Sequence, residues 1–266
     1  MKNIPPGVKL RRCFYSNEDI IDTMKKKIRY PRRRVIRTIL KGGIAAAFGI
    51  LADFDVEGCE NIPTKGPLLV VANHFNFLDP LALIHTAPWP LEFVGGAQTP
   101  NAPATLGWIN KLFGVIPTYR GTGSRETLQN AEEVLRQNGV LAIFPEGGSW
   151  AQVLRPARPG TAFLAWRTKS KILPVGLDNF AGFFDRVKVG QRVPVKVKFG
   201  KPFGPVAASD GARPGREELD EIGHDIMRHI SDLIPPERQG FYSPNPAIRE
   251  AARGTEIYPW ANVAEA

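Results

Sequence analysis

Hydrophobic positions in this chain switch between short unbroken runs and helical spacing. Leu68–Ala72, Val140–Phe144 and Ile172–Leu177 are short apolar runs bounded by turn residues or charges, the pattern of buried strands. Leu91–Val94 and Gly114–Gly121 are further strand candidates. Val193, Val195, Val197 and Phe199 alternate with Pro194, Lys196 and Lys198, which predicts a half-buried strand. Helical spacing fills the gaps. After Ser124, Leu128, Ala131 and Leu135 share a face, and Gly139 stands where a C-terminal cap belongs. Thr161–Lys169 predicts another helix. Glu217–Leu233 predicts a third, with Leu219, Ile222, Ile226, Ile230 and Leu233 on one face and Pro235-Pro236 as its stop. Asp79-Pro80 reads as a helix start, aspartate at the cap and proline at the first helical position, continued by Leu81, Ala82 and Ile84. Residues 95–110 predict a loop with a short helix.

Strands alternating with helices predict an α/β fold: a single domain over residues 56–236 with a mainly parallel central sheet flanked by helices. Two N-terminal helices precede it within residues 1–55. The first spans Ser16–Tyr30, with Ile20, Ile21, Met24 and Ile28 on one face; the second runs from Arg32 to about Ala52. Residues 237–266 show no period and predict an extended C-terminal tail.

Composition adds modest constraints. The 266 residues, 43% hydrophobic and 23% charged, suffice for a substantial core. Cys13 and Cys59 show neither metal-ligand spacing nor a disulfide framework, which favours a reducing, cytoplasmic setting. The first residues lack the apolar core of a secretion signal. The apolar run Gly42–Ala52 falls short of the roughly 20 residues of a membrane-spanning helix.

Charge changes the picture more. Lys25, Lys26, Lys27, Arg29, Arg32, Arg33, Arg34, Arg37 and Lys41 have no acidic residue among them and together equal the formal excess of +9. A basic cluster beside a short apolar helix fits a segment lying in the interface of an anionic membrane, peripheral or monotopic on the cytoplasmic face. The plainer alternative is a solvated helix pair. Nucleic acid is not an expected partner: Tyr30 is the one aromatic in the cluster, and no nucleic-acid motif follows.

The candidate chemistry begins where the first buried strand ends. Asn73-His74 follows the run, and Asp79 comes five residues after His74. On a straight helix that spacing places the two on different faces, so they meet only if His74 lies in the turn before the helix. Asp79 would then hold the imidazole in one tautomer, and His74 would serve as a general base near neutral pH. The alternative is that Asp79 only caps a helix and His74 only fills a turn. No Gly-x-Ser-x-Gly elbow is present, so a hydroxyl supplied by a substrate is a better nucleophile than a serine of the chain. Arg120 and Glu146 also stand just past predicted strand ends, where sites of open α/β sheets lie. His85, His224 and His229 have no evident ligand partners, and no metal is expected.

In this setting the chain resembles the glycerophospholipid acyltransferase family, whose best-known members acylate lysophosphatidic acid. The resemblance rests on four ordered motifs between Leu68 and Gly176: Asn73, His74 and Asp79; Gly114, Val115, Ile116, Pro117 and Arg120; Phe144, Pro145, Glu146 and Gly147; and Ile172, Leu173, Pro174 and Val175. It implies O-acyl transfer from an acyl thioester, of coenzyme A or acyl carrier protein, to the hydroxyl of a lysophospholipid, with 1-acylglycerol 3-phosphate giving phosphatidic acid. The donor is a substrate, and no cofactor is implied. Under the resemblance His74 and Asp79 are catalytic. Arg120 holds the acceptor phosphate, and Glu146, Gly147, Asn73 and Arg158 complete the substrate-binding set, with Glu146 also helping to fix its loop. The third motif departs from the family's usual Thr-Arg continuation: Gly148, Ser149 and Trp150 follow Gly147, and the nearest downstream cations are Arg155 and Arg158. The departure opens one alternative, an acceptor without the usual phosphate contact; a non-catalytic lipid-binding protein is a separate alternative, against which Asn73, His74 and Asp79 argue. Phe75 and Phe77 are candidates to line an acyl path.

Overall fold

The structure is a computed structural model, and it describes residues 28–96, 107–118, 125–207 and 213–259. Seven strands form one sheet: β1 (Ala52–Glu57), β2 (Leu68–Ala72), β3 (Leu91–Gly96), β4 (Ile116–Thr118), β5 (Val140–Ile143), β6 (Lys171–Asp178) and β7 (Val193–Phe199). Their order is β1-β7-β6-β2-β5-β3-β4. Every pairing is parallel except β6 with β7. The expected mainly parallel α/β sheet is thus present.

β2 lies between β5 and β6 and is buried along its whole length. Its alternation divides the core in two. Leu68, Val70 and Ala72 face a cluster holding Phe48 of helix α1 (Arg34–Leu51) and Leu83 of α2 (Asp79–Thr86). Leu69 and Val71 face the opposite cluster, with Ala131 of α4 (Arg125–Arg136), Leu164 of α5 (Pro159–Thr168) and Ile226 of α7 (Arg216–Ser231). Helices therefore cover both sheet faces, and continuous apolar runs are what such doubly covered strands require. Three further helices are short: α3 (Gly107–Phe113), α6 (Phe183–Lys188) and α8 (Pro246–Ala252).

Several expectations need correction. The first helix, Ser16–Tyr30, lies mostly outside the described residues, and Ile28, Arg29 and Tyr30 are not helical. Instead the Tyr30 hydroxyl donates to the Pro90 carbonyl at 2.7 Å and its backbone N–H to Gln137 Oε1 at 2.9 Å. The boundary at residue 55 falls inside β1, which pairs with β7 from Ala52↔Val193 to Glu57↔Lys198 and belongs to the main sheet. The left-handed residue ending α4 is Asn138, at φ 55°, rather than Gly139.

The predicted extended tail is not extended over residues 237–259. It forms two short 3₁₀ turns and α8, whose Asn245 cap accepts the Ala247 N–H. Gly240, Ser243 and Ala252 are buried.

Lys25, Lys26 and Lys27 of the basic cluster lie outside the described residues, and Arg32, Arg33, Arg37 and Lys41 are bonded within the protein. Glu92 of β3 is fully buried and takes both Arg37, at 2.5 and 2.8 Å, and Arg32, at 2.7 and 2.9 Å. Burial pushes the Glu92 carboxyl up, but the Arg37 and Arg32 guanidiniums outweigh it and hold it below its ordinary value. Arg33 donates to the Lys111 and Leu112 carbonyls, and Lys41 to the Ala87 carbonyl. These cations fasten α1 to the domain. The outward side of α1 is instead apolar: Val35, Ile39 and Ile50 are 74%, 69% and 72% exposed.

Candidate active site

The sheet register brings two loops together. Val71 of β2 pairs with Ile143 of β5, so the residues three beyond each, His74 and Glu146, emerge side by side at the carboxyl ends of the strands. The His74 backbone N–H donates to Glu146 Oε1 at 2.7 Å.

His74 lies in the turn before α2, as the spacing requires. Its Nδ1 is 3.0 Å from Asp79 Oδ2. The same oxygen accepts the N–H groups of Phe75 and Asn76, at 2.8 and 2.7 Å. Asp79 is therefore the first residue of α2, behind Leu78 as cap, and it organises the turn before the helix rather than capping the helix itself. It is 1% exposed. Burial raises its carboxyl above the ordinary value, while His74 and the two N–H groups pull it back. The Phe144 ring stacks on the imidazole with centroids 4.1 Å apart. With Nδ1 engaged and the ring held on one face, Nε2 is the nitrogen left for chemistry.

Asn73 and Glu146, both expected to touch substrate, are buried and bonded within the protein. Asn73 is fully buried; its amide donates to the Leu177 carbonyl at 2.8 Å and accepts the Leu177 N–H at 2.7 Å, fixing the end of β2 to β6. Glu146 is 1% exposed, and its Oε2 accepts Arg155 Nε–H at 3.0 Å. Burial pushes the Glu146 carboxyl up to about 7, against the pull of Arg155 and the His74 N–H. Both residues are bonded beside the His74 turn, Asn73 to β6 and Glu146 to the turn itself, which matches the loop-fixing role expected of Glu146.

Gly147 and Arg158 are exposed at the mouth of the loop. Gly147 adopts φ 78°, a conformation that favours glycine, and a Cβ there would stand 3.2 Å from Arg158 Cγ. Arg158 precedes α5, and its backbone N–H donates to the Pro145 carbonyl at 2.7 Å. Its guanidinium donates to the Glu256 carbonyl at 3.4 Å, and a cation at a helix N-terminus suits an anionic group. Arg120 lies outside the described residues. Phe77 stacks on Phe184 of α6, with centroids 5.8 Å apart, while Phe75 is buried in the core.

Arg155, mentioned in the sequence only as a downstream cation, is the partner of Glu146 and is 1% exposed. A loop separation of nine residues carries no periodic signal that would have paired them. The other histidines sit apart: His85 packs on Phe48 and Phe54, His224 meets the Tyr242 hydroxyl, and His229 stacks on Phe203. Among the described residues, no group of three or more His, Cys, Asp or Glu gathers as a metal site.

The acyltransferase family model matches residues 53–178. A 1-acyl-sn-glycerol-3-phosphate acyltransferase of Borreliella burgdorferi is 31% identical over 134 residues, covering 48% of this chain and 52% of that protein. The chain thus spans about half the length of this relative. A probable 1-acyl-sn-glycerol-3-phosphate acyltransferase of Mycoplasma genitalium is 26% identical over 67% of this chain and 70% of that protein. Among solved structures, the 1-acyl-sn-glycerophosphate (LPA) acyltransferase PlsC of Thermotoga maritima shares the fold. The TM-score is 0.53 at 22% identity, over 80% of this chain and 86% of that one. The stretch matched by the acyltransferase family model runs through β6 and holds both the His74 turn and the Glu146 loop.

Proposed function

We propose that this chain transfers a fatty acyl group from a thioester, of coenzyme A or acyl carrier protein, to the hydroxyl of a lysophospholipid, with 1-acylglycerol 3-phosphate as acceptor and phosphatidic acid as product. The observation that carries the proposal is the 3.0 Å contact between His74 Nδ1 and the buried Asp79 carboxylate. Nε2 takes the proton of the acceptor hydroxyl as its oxygen attacks the thioester carbonyl. The C–O bond forms, the C–S bond breaks, and the thiolate leaves and recovers the proton from the imidazolium. Asp79 stabilises that imidazolium and fixes the tautomer. Arg158 at the start of α5, with Arg120, holds the acceptor phosphate. The names of the relatives support the acceptor class.

The bilayer supplies the acceptor. No helix among the described residues is long and apolar enough to cross a membrane. The exposed apolar side of α1, with Arg34 exposed at its start, suits a helix lying in an anionic interface, so the protein works as a peripheral enzyme on the cytoplasmic face. The replacement of the family's Thr-Arg by Gly148, Ser149 and Trp150 favours one second reading, an acceptor with a different headgroup.

A panel of lysolipids with a labelled acyl thioester tests both. The proposal expects 1-acylglycerol 3-phosphate to be acylated fastest and Arg158→Ala to weaken phosphate-bearing acceptors selectively. Faster acylation of a lysolipid lacking the terminal phosphate would select the second reading. Vesicle binding with no acceptor turned over would contradict both.

A further inference from the structure

Beyond Pro235 the chain turns back across the loop that carries Glu146. Leu154 is gripped from both sides: its N–H donates to the Arg238 carbonyl at 2.9 Å, and its carbonyl accepts the Phe241 N–H at 3.2 Å. Gly240 permits this approach, because a Cβ there would fall 2.3 Å from the Leu154 oxygen. Arg238 donates to the Gln152 carbonyl at 3.1 Å, and the Gln152 amide donates to the Phe75 carbonyl at 2.8 Å, inside the His74 turn. After α8 the chain meets the same loop again. The Trp150 indole N–H donates to the Thr255 carbonyl at 2.8 Å, and its ring packs on Tyr258.

Trp150 also carries the Arg155 guanidinium over its face, at 3.8 Å from the ring centroid. Arg155 in turn bonds the Gly148 carbonyl and the Glu146 carboxylate. A continuous path therefore runs from the Thr255 carbonyl through Trp150, Arg155 and Glu146 to the His74 N–H. Each link is a hydrogen bond, an ion pair or a cation–π contact, and Arg155 and Glu146 are desolvated, which strengthens the charged links. Trp150 stands in the part of the third motif where this sequence departs from its family.

We propose that Trp150 and residues 236–258 form a positioning brace for acyl transfer, holding Arg155 on Glu146 and thereby fixing the His74 turn. The proposal rests on the reading of His74 as the general base. Trp150 touches no reacting atom and acts through Arg155.

The test compares Trp150→Leu, Trp150→Phe and His74→Ala in the full chain, by steady-state kinetics and amide hydrogen exchange. Trp150→Leu removes both the ring face and the N–H; kcat should fall about 10- to 100-fold with KM for the thioester within about twofold. Exchange at His74, Phe75 and Asn76 should quicken about tenfold while β2 and β5 stay protected. Trp150→Phe keeps an aromatic face for Arg155 and should lose about three- to tenfold in kcat, which also serves if the leucine variant does not fold. Unchanged kcat with unchanged exchange in these variants would overturn the brace. Quickened exchange throughout β2 and β5 would also overturn it, reducing Trp150 to general stability. An inactive His74→Ala beside fully active Trp150 variants would defeat the brace alone, whereas an active His74→Ala would defeat the base on which it rests.

Discussion

The backbone N–H of His74 donates to Glu146 Oε1 at 2.7 Å, so the turn after β2 is held by the loop after β5. The Glu146 loop thus serves the His74 turn. Removing the carboxylate should leave Arg155 buried without its anion and free the turn. Glu146→Ala is expected to lower kcat about 100-fold, the scale of a 1 Å misplacement. Acylation kinetics on folded protein check this.

Glu146 also gives a pH signature. Burial lifts its carboxyl from 4.5 to about 7 in the folded protein. Between those values the native state binds more protons than the unfolded state, so this group's contribution to stability falls as pH rises from about 4.5 to 7. The stability of wild type relative to Glu146→Gln should therefore decline across that window by up to roughly 3 kcal/mol. Urea unfolding of both proteins between pH 5 and 7.5, in steps of about half a unit, measures it.

Glu92 has the opposite sign. Arg37 and Arg32 hold it below its ordinary value, so its contribution is present above the unfolded carboxylate range and lost as pH falls through the depressed folded value. Glu92→Ala leaves two arginines without their buried anion and should cost about 3–5 kcal/mol in chemical unfolding. The same ion pairs mean that deleting residues 1–52 would strip Phe48 from the core and orphan Glu92, so point changes test membrane contact more cleanly.

The outward face of α1 supplies those changes. Val35→Glu with Ile39→Glu replaces two exposed residues and should leave the fold intact. Partitioning onto anionic vesicles is expected to fall at least about tenfold, since each buried isoleucine or valine contributes about 1.5–3 kcal/mol. Vesicle sedimentation at low and high salt reads the effect. Unchanged partitioning would remove α1 as the contact.

Much of this architecture was legible because continuous apolar runs and helical spacing report burial directly. Leu68–Ala72, Val193–Phe199 and the helix around Ile226 stand where the pattern predicts. β1 was missed although Phe54 and Val56 alternate with Asp53, Asp55 and Glu57, because the preceding basic helix drew the whole segment into one reading. The C-terminal segment was missed for another reason: it is held by backbone hydrogen bonds and the close approach of Gly240, neither of which leaves a hydrophobic period. His74 and Asp79 were legible as a pair. The loop-fixing role of Glu146 was legible too, but the internal role of Asn73 was not, since the same polar residue could equally face a substrate or bridge two strand ends.

The central claim is that His74, oriented by Asp79, deprotonates the acceptor hydroxyl. The most direct measurement is single-turnover acylation of 1-acylglycerol 3-phosphate from a labelled thioester by wild type and by His74→Ala of equal thermal stability. The account predicts a loss of about 10²- to 10⁴-fold in the chemical step. Transfer by His74→Ala at the wild-type rate would contradict it.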